Sequence, residues 1–147
     1  MITVLLVRHA DIDVPPASDD PPLNAAGRRR AETLAHVAGT AGVTSVFTSS
    51  LIRAKQTVEP LVARVGLNPA EVPPPSVLAQ RVVSGTLGGV VLIAGHSNTI
   101  PEMMVALGVS SGIPAIGERE FDNLFVVTVA ESVGSSALSL KYGKPSH

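Results

Sequence analysis

The chain has no cysteine and no tryptophan, and only one tyrosine and three phenylalanines among 147 residues. Lack of thiols excludes disulfides and thiolate nucleophiles and leaves the compartment open. With so few rings, the core has to be built from Val, Leu, Ile and Ala; apolar residues make up 45% of the chain. An excess of charge of one sign is also missing. Eleven basic and 12 acidic side chains leave −1, so bulk charge attracts neither nucleic acid nor an anionic membrane, and any basic pocket has to be local. No stretch approaches the roughly 20 apolar residues of a membrane span. The N-terminal apolar run is broken by Arg8 and His9, too early for a secretory signal. These features read as one cytoplasmic domain over residues 1–147, long enough to bury roughly two thirds of its unfolded surface.

What the chain does have is two apolar runs that each end at a histidine. Val4, Leu5, Leu6 and Val7 lead into Arg8 and His9; Val90, Val91, Leu92, Ile93 and Ala94 lead into Gly95, His96 and Ser97. Short runs apolar on both faces are the strands of a parallel sheet. Ligand crevices in such sheets lie outside the carboxyl ends of the strands, so both histidines are expected at one sheet edge.

The remaining pattern alternates helices with strands. Asn24 caps a helix that buries Ala31, Leu34, Ala35 and Ala38, with Gly39 and Gly42 at its end. Residues 43–48 read as a strand. A second helix starts near Ser50 with Leu51, Ala54, Val58, Leu61, Val62 and Val65 on one face, and Pro60 predicts a kink or break there. Residues 68–76 hold four prolines and at most a short edge strand, followed by a brief helix over 77–84. Another helix over 99–107 is capped by Ser97 or Asn98 and turns Ile100, Met103, Met104 and Leu107 inward. Segments 124–130 and 137–142 read as an antiparallel pair joined by a Gly/Ser turn. The fold predicted is a three-layer α/β/α sandwich, a mainly parallel sheet with a C-terminal antiparallel hairpin. Arg28, Arg29 and Arg30 are expected on a solvated helix face, with Glu32 within reach of Arg28; His36 and His147 are given no role.

Four segments carry a resemblance. Arg8-His9 is similar to the opening Arg-His-Gly of the histidine phosphatase superfamily, with Ala10 in place of the glycine. Pro22, Leu23, Asn24, Gly27 and Ala31 resemble its Pro-Leu-Thr-x-x-Gly-x-x-x-Ala segment. Ser49, Ser50, Leu51, Arg53, Ala54, Gln56 and Thr57 resemble its Ser-x-Leu-x-Arg-Ala-x-Gln-Thr segment, and Gly95, His96, Ser97 and Asn98 its second-histidine motif. The tail from Phe121 to Val126 also looks like that of short bacterial members. The resemblance implies a phosphoglycerate mutase-like fold, a phosphohistidine intermediate, no cofactor and no metal. Short lidless members similar to this chain include phosphohistidine phosphatases.

The chemistry these residues offer fits phosphoryl transfer. His9 can attack phosphorus as a neutral imidazole. Arg8 and Arg53 suit the equatorial oxygens, since a guanidinium is a planar fork of donors that stays charged. His96 adds a further cationic donor if protonated, or shuttles a proton, and the helix start after Asn98 adds backbone donors for an anion. Such a cluster of cations is expected to trap adventitious anions when empty. The leaving oxygen needs a proton, yet no Asp or Glu occurs between Val72 and Pro101, where the resemblance implies one. Asp11 is the expected substitute, ahead of Asp13 and Glu102; without an acid, good leaving groups are favoured. The reading is a metal-independent phosphatase acting on a phosphorylated small molecule or a phosphoprotein. The alternatives are a non-catalytic phosphate- or phosphoprotein-binding module, a mutase-type phosphotransferase, and metal-dependent hydrolysis through His9, Asp11, Asp13 and His96.

Overall fold

The computed structural model describes residues 1–130 and 134–146. His147 and half of the turn expected before the last strand lie outside the described residues. The strands are β1 (Ile2–Arg8), β2 (Ser45–Thr48), β3 (Ala70–Glu71), β4 (Val90–Gly95), β5 (Asn123–Ala130) and β6 (Gly134–Lys141). The helices are α1 (Ala25–Ala38), α2 (Ile52–Val65), α3 (Pro75–Ser84) and α4 (Thr99–Ala106). Six strands form one sheet in the order β3-β2-β4-β1-β5-β6. The first four are mutually parallel, β5 runs antiparallel to β1, and β6 antiparallel to β5. The predicted sandwich with its closing hairpin is therefore the fold observed.

Side-chain alternation along the central strands splits the core in two. Val4 and Leu6 of β1, with Val91 and Ile93 of β4, pack against Leu78 and Val82 of α3 and Ile100, Met103 and Met104 of α4. Leu5 and Val7, with Leu92 and Ala94, pack against Leu34 and Ala35 of α1 and Val58 and Leu61 of α2. Burial on both faces is the reason these strands read as unbroken apolar runs.

Asn24 caps α1 as expected, its Oδ1 accepting from the Gly27 N–H at 2.9 Å. Pro60 does not break α2, which runs continuously from Ile52 to Val65. Ala54, Val58 and Leu61 are fully buried on either side of the proline, and their packing outweighs the ~3 kcal/mol that a helical proline costs. Gly66 ends α2 in the left-handed conformation, its N–H returning to the Val62 carbonyl. Asn98 stands at the start of α4 without a side-chain cap bond; the Thr99 hydroxyl accepts the His96 N–H instead, at 2.9 Å. Among the described residues no helix is long and apolar enough to cross a membrane.

Candidate functional site

The site begins with sheet register. Strands β1 and β4 are neighbours, and Arg8 pairs with Gly95 as the last pair of their ladder. One residue on, the His9 N–H donates to the Gly95 carbonyl at 2.8 Å. The two histidines thus leave adjacent strands side by side, with ring centroids 5.3 Å apart.

His9 is buried, and its Nδ1 lies 2.8 Å from the Ala10 carbonyl oxygen. A carbonyl can only accept, so Nδ1 carries the proton and Nε2 keeps its lone pair. Burial pushes the His9 pKa down to about 3, helped by Arg8, His96 and Arg53 and opposed by the Ala10 hydrogen bond. His96 is likewise lowered to about 4 by burial and then by Arg53 and Arg8. Its Nε2 lies 2.7 Å from the Ser49 hydroxyl. Both imidazoles are neutral at pH 7 in the empty site, which for His96 differs from the cationic role held open by the sequence.

Arg8 follows β1 into the same edge and is buried. Its Nη1 donates to the carbonyls of Gly117, Glu118 and Glu120 at 3.1, 2.9 and 2.8 Å, and the guanidinium lies 4.3 Å from the Phe121 ring centre. The same ring sits 5.9 Å from the His9 ring. Burial, and then the neighbouring Arg53, lower the Arg8 pKa from its ordinary value. Arg53 comes from the first turn of α2. Its only acidic neighbour within 4 Å among the described residues is Asp20, at 3.8 Å from Nη1, too long for a hydrogen bond.

Four buried side-chain polar atoms in the described residues lack a hydrogen-bond partner, and three belong to these arginines: Nε of Arg8, and Nε and Nη1 of Arg53. Buried donors without acceptors are costly. Two guanidiniums stand beside two neutral imidazoles, and three of the guanidiniums' buried donors meet no protein acceptor, a donor set that suits an oxyanion. No group of three or more His, Cys, Asp or Glu side chains among the described residues is placed to hold a metal ion.

The proposed acids stand elsewhere. Asp11 is held by Arg30, accepting from Nε at 2.6 Å and from Nη2 at 3.3 Å. Both oxygens of the carboxylate expected to act as the acid are thus engaged by Arg30. Asp13 accepts from Asn24 Nδ2 at 3.2 Å, and Glu102 is an exposed residue of α4. Asn98 is exposed too.

Arg30 corrects the reading of the basic run. Arg28 and Arg29 are exposed, but Arg30 is 4% exposed and also donates to the Tyr142 and Lys144 carbonyls at 2.9 and 2.8 Å. The two carbonyls lie more than a hundred residues away, beyond any local signal. Thr57, noted only within a motif, is a second supporting residue. Its hydroxyl accepts the Ala10 N–H at 2.8 Å and donates to the Arg53 carbonyl at 2.7 Å, tying the His9 and Arg53 segments together.

Comparison with known proteins agrees with this geometry. Residues 4–74 match the model of the histidine phosphatase superfamily (branch 1). No curated protein matches the chain. A solved structure of the protein histidine phosphatase SixA complexed with tungstate is similar at a TM-score of 0.76 and 19% identity, over 95% of this chain and 97% of that one. A putative phosphohistidine phosphatase SixA from Agrobacterium tumefaciens is similar at 0.63 and 20%, over 98% of each. A mycobacterial glucosyl-3-phosphoglycerate phosphatase with inorganic phosphate is similar at 0.69 and 18%, over 87% and 90%. The family match thus spans residues 4–74, just under half of the chain, while the likeness of fold to solved phosphatase structures extends over nearly its whole length.

Proposed function

We propose that this chain is a metal-independent phosphatase that works through a phosphohistidine at His9. The observation that carries it is the set of three buried, unspent guanidinium donors around a histidine whose Nε2 lone pair is free. Nε2 attacks phosphorus, the N–P bond forms as the bond to the leaving group breaks, and the leaving group takes a proton from solvent. Water then attacks the phosphohistidine, releasing phosphate and restoring neutral His9. Arg8 and Arg53 hold the equatorial oxygens as charge redistributes. His96, oriented by Ser49, donates to the same group. Two fixed guanidiniums would repel a metal ion here, which favours the metal-independent route.

The substrate is a phosphorylated small molecule or a phosphoprotein, as the relatives named for a protein histidine phosphatase and a sugar-phosphate phosphatase suggest. With no Asp or Glu between Val72 and Pro101 and both Asp11 oxygens bonded to Arg30, we assign no carboxylate to the leaving group. That favours phosphohistidine and other good leaving groups over unactivated esters. We place the activity in the cytoplasm.

The test is a labelled phosphoryl donor with quenching that avoids acid. Label is expected on His9, and His9→Ala is expected to lose turnover by about 10³-fold or more, the scale on which removal of a nucleophile acts. His9→Ala turning over an aryl phosphate at the parent rate overturns the proposal. Tungstate binding that depends on Arg8 and Arg53, without turnover of any ester or phosphohistidine protein, would mark a binding module instead.

A further inference from the structure

Next to the paired imidazoles lies a second hollow, of about 120 Å³, that the chemistry above leaves unused. Its floor is Leu6, Ile93, Ile100 and Met103, none more than 5% exposed. Val72 and Pro73 form one wall, and the first turn of α4 the other, with Glu102 the only carboxylate on its lining. Ser49 and His96 belong to this lining as well, and the His96 ring stands 5.3 Å from that of His9, so the hollow adjoins the oxyanion site at His96.

Three features make it a receptor rather than a packing defect. Pro73, Pro74 and Pro75 follow one another in the wall segment, which fixes the backbone before any ligand arrives and reduces the ordering cost of binding. Gly95 keeps the floor open: a Cβ there would come within 3.0 Å of Thr99 Oγ1 and 3.5 Å of Ile100 Cγ1. The size is also decisive. An apolar cavity of roughly 150 Å³ admits one benzene ring, so this hollow of about 120 Å³ has room for no more than one. A polyhydroxylated group placed on Leu6, Ile93 and Met103 would give up water without finding partners.

We propose that this cleft receives the leaving group of the substrate, and that the preferred small-molecule monoesters carry a single flat, apolar ring next to the phosphate. The inference rests on the phosphatase reading above and adds its substrate class.

Benzyl phosphate and ethyl phosphate test it, because their alcohols are similarly weak acids and intrinsic reactivity does not separate them. The parent enzyme is expected to favour the benzyl ester in kcat/KM by about tenfold or more, the range that apolar pocket contacts provide. Val72→Asp sets a charge on the wall and is expected to cut that preference at least about fivefold, with the ethyl ester changed less than about twofold. Val72→Ala, a milder change, should erode the preference in the same direction and serves where the aspartate variant does not fold. Phosphoryl label on His9 with equal kcat/KM for the two esters overturns this inference alone. A preference untouched by either Val72 variant does the same. No turnover of either ester, with His9 still labelled by an aryl phosphate or a phosphohistidine protein, overturns this inference alone; no label from any of these donors overturns the phosphatase reading, and this inference falls with it.

Discussion

A nitrogen nucleophile has to keep its lone pair, and His9 keeps it by two independent means. The Ala10 carbonyl fixes the ring proton on Nδ1, and burial next to two guanidiniums keeps a second proton away until about pH 3. The sign is definite. Because the pKa is lowered from 6.5, the reactive neutral form persists as pH falls through 6.5 and is lost only near 3. The acid limb of kcat/KM should therefore not be that of an ordinary imidazole. It should follow the second ionisation of the substrate phosphate, near pH 6 for simple monoesters, and move when an ester with a more acidic phosphate replaces the first. A limb fixed near 6.5 for both esters would mean that His9 or His96 titrates as an unburied residue.

At the scale of elements, the segment after β1 is gripped from two sides. Thr57 of α2 takes the Ala10 N–H, and Arg30 of α1 takes the Asp11 carboxylate. Gly27 lets α1 come close, since a Cβ there would collide with the Asp11 backbone. Arg30 also reaches the C-terminal segment at Tyr142 and Lys144. Replacing Arg30 by Met strands the Asp11 charge, and by analogy with broken buried pairs should cost roughly 3–5 kcal/mol in denaturant unfolding. Adding Asp11→Leu should return part of that loss, and a double variant no better than the single one would show that the pair is not what matters. This network also marks where the sequence stops being legible. Strands β1 and β4 announce themselves because both faces are buried, and α1 and α4 because their apolar residues recur at helical spacing. The four residues that converge, Arg8, His9, Arg53 and His96, follow from strand ends plus the motif resemblance. Arg30 sits between two exposed arginines, and only tertiary packing separates it from them. At Pro60 the helix is not broken, because the burial that overrides a proline is not a local property.

At the scale of the whole molecule, β1 and β4 lie in the interior of the sheet, with α1 and α2 on one face and α3 and α4 on the other. In the function proposed, an anion bound at their ends would bridge Arg8 of β1, Arg53 in the first turn of α2 and His96 after β4, and so cross-link the fold. Tungstate at about 100 times its dissociation constant should add about 2.7 kcal/mol, or on the order of 5–10 °C in Tm for a chain of this size. Arg53→Ala should abolish the shift, and an unchanged shift would place the anion elsewhere.

The distance between the two imidazoles is, finally, a backbone dimension. Neighbouring strands run about 4.8 Å apart, and the rings stand 5.3 Å apart at the end of one ladder. Reactive spacing is thereby stored in the least deformable part of the molecule. A change in the loops around it, such as the proline-rich stretch after Asp13, would leave that gauge as it is.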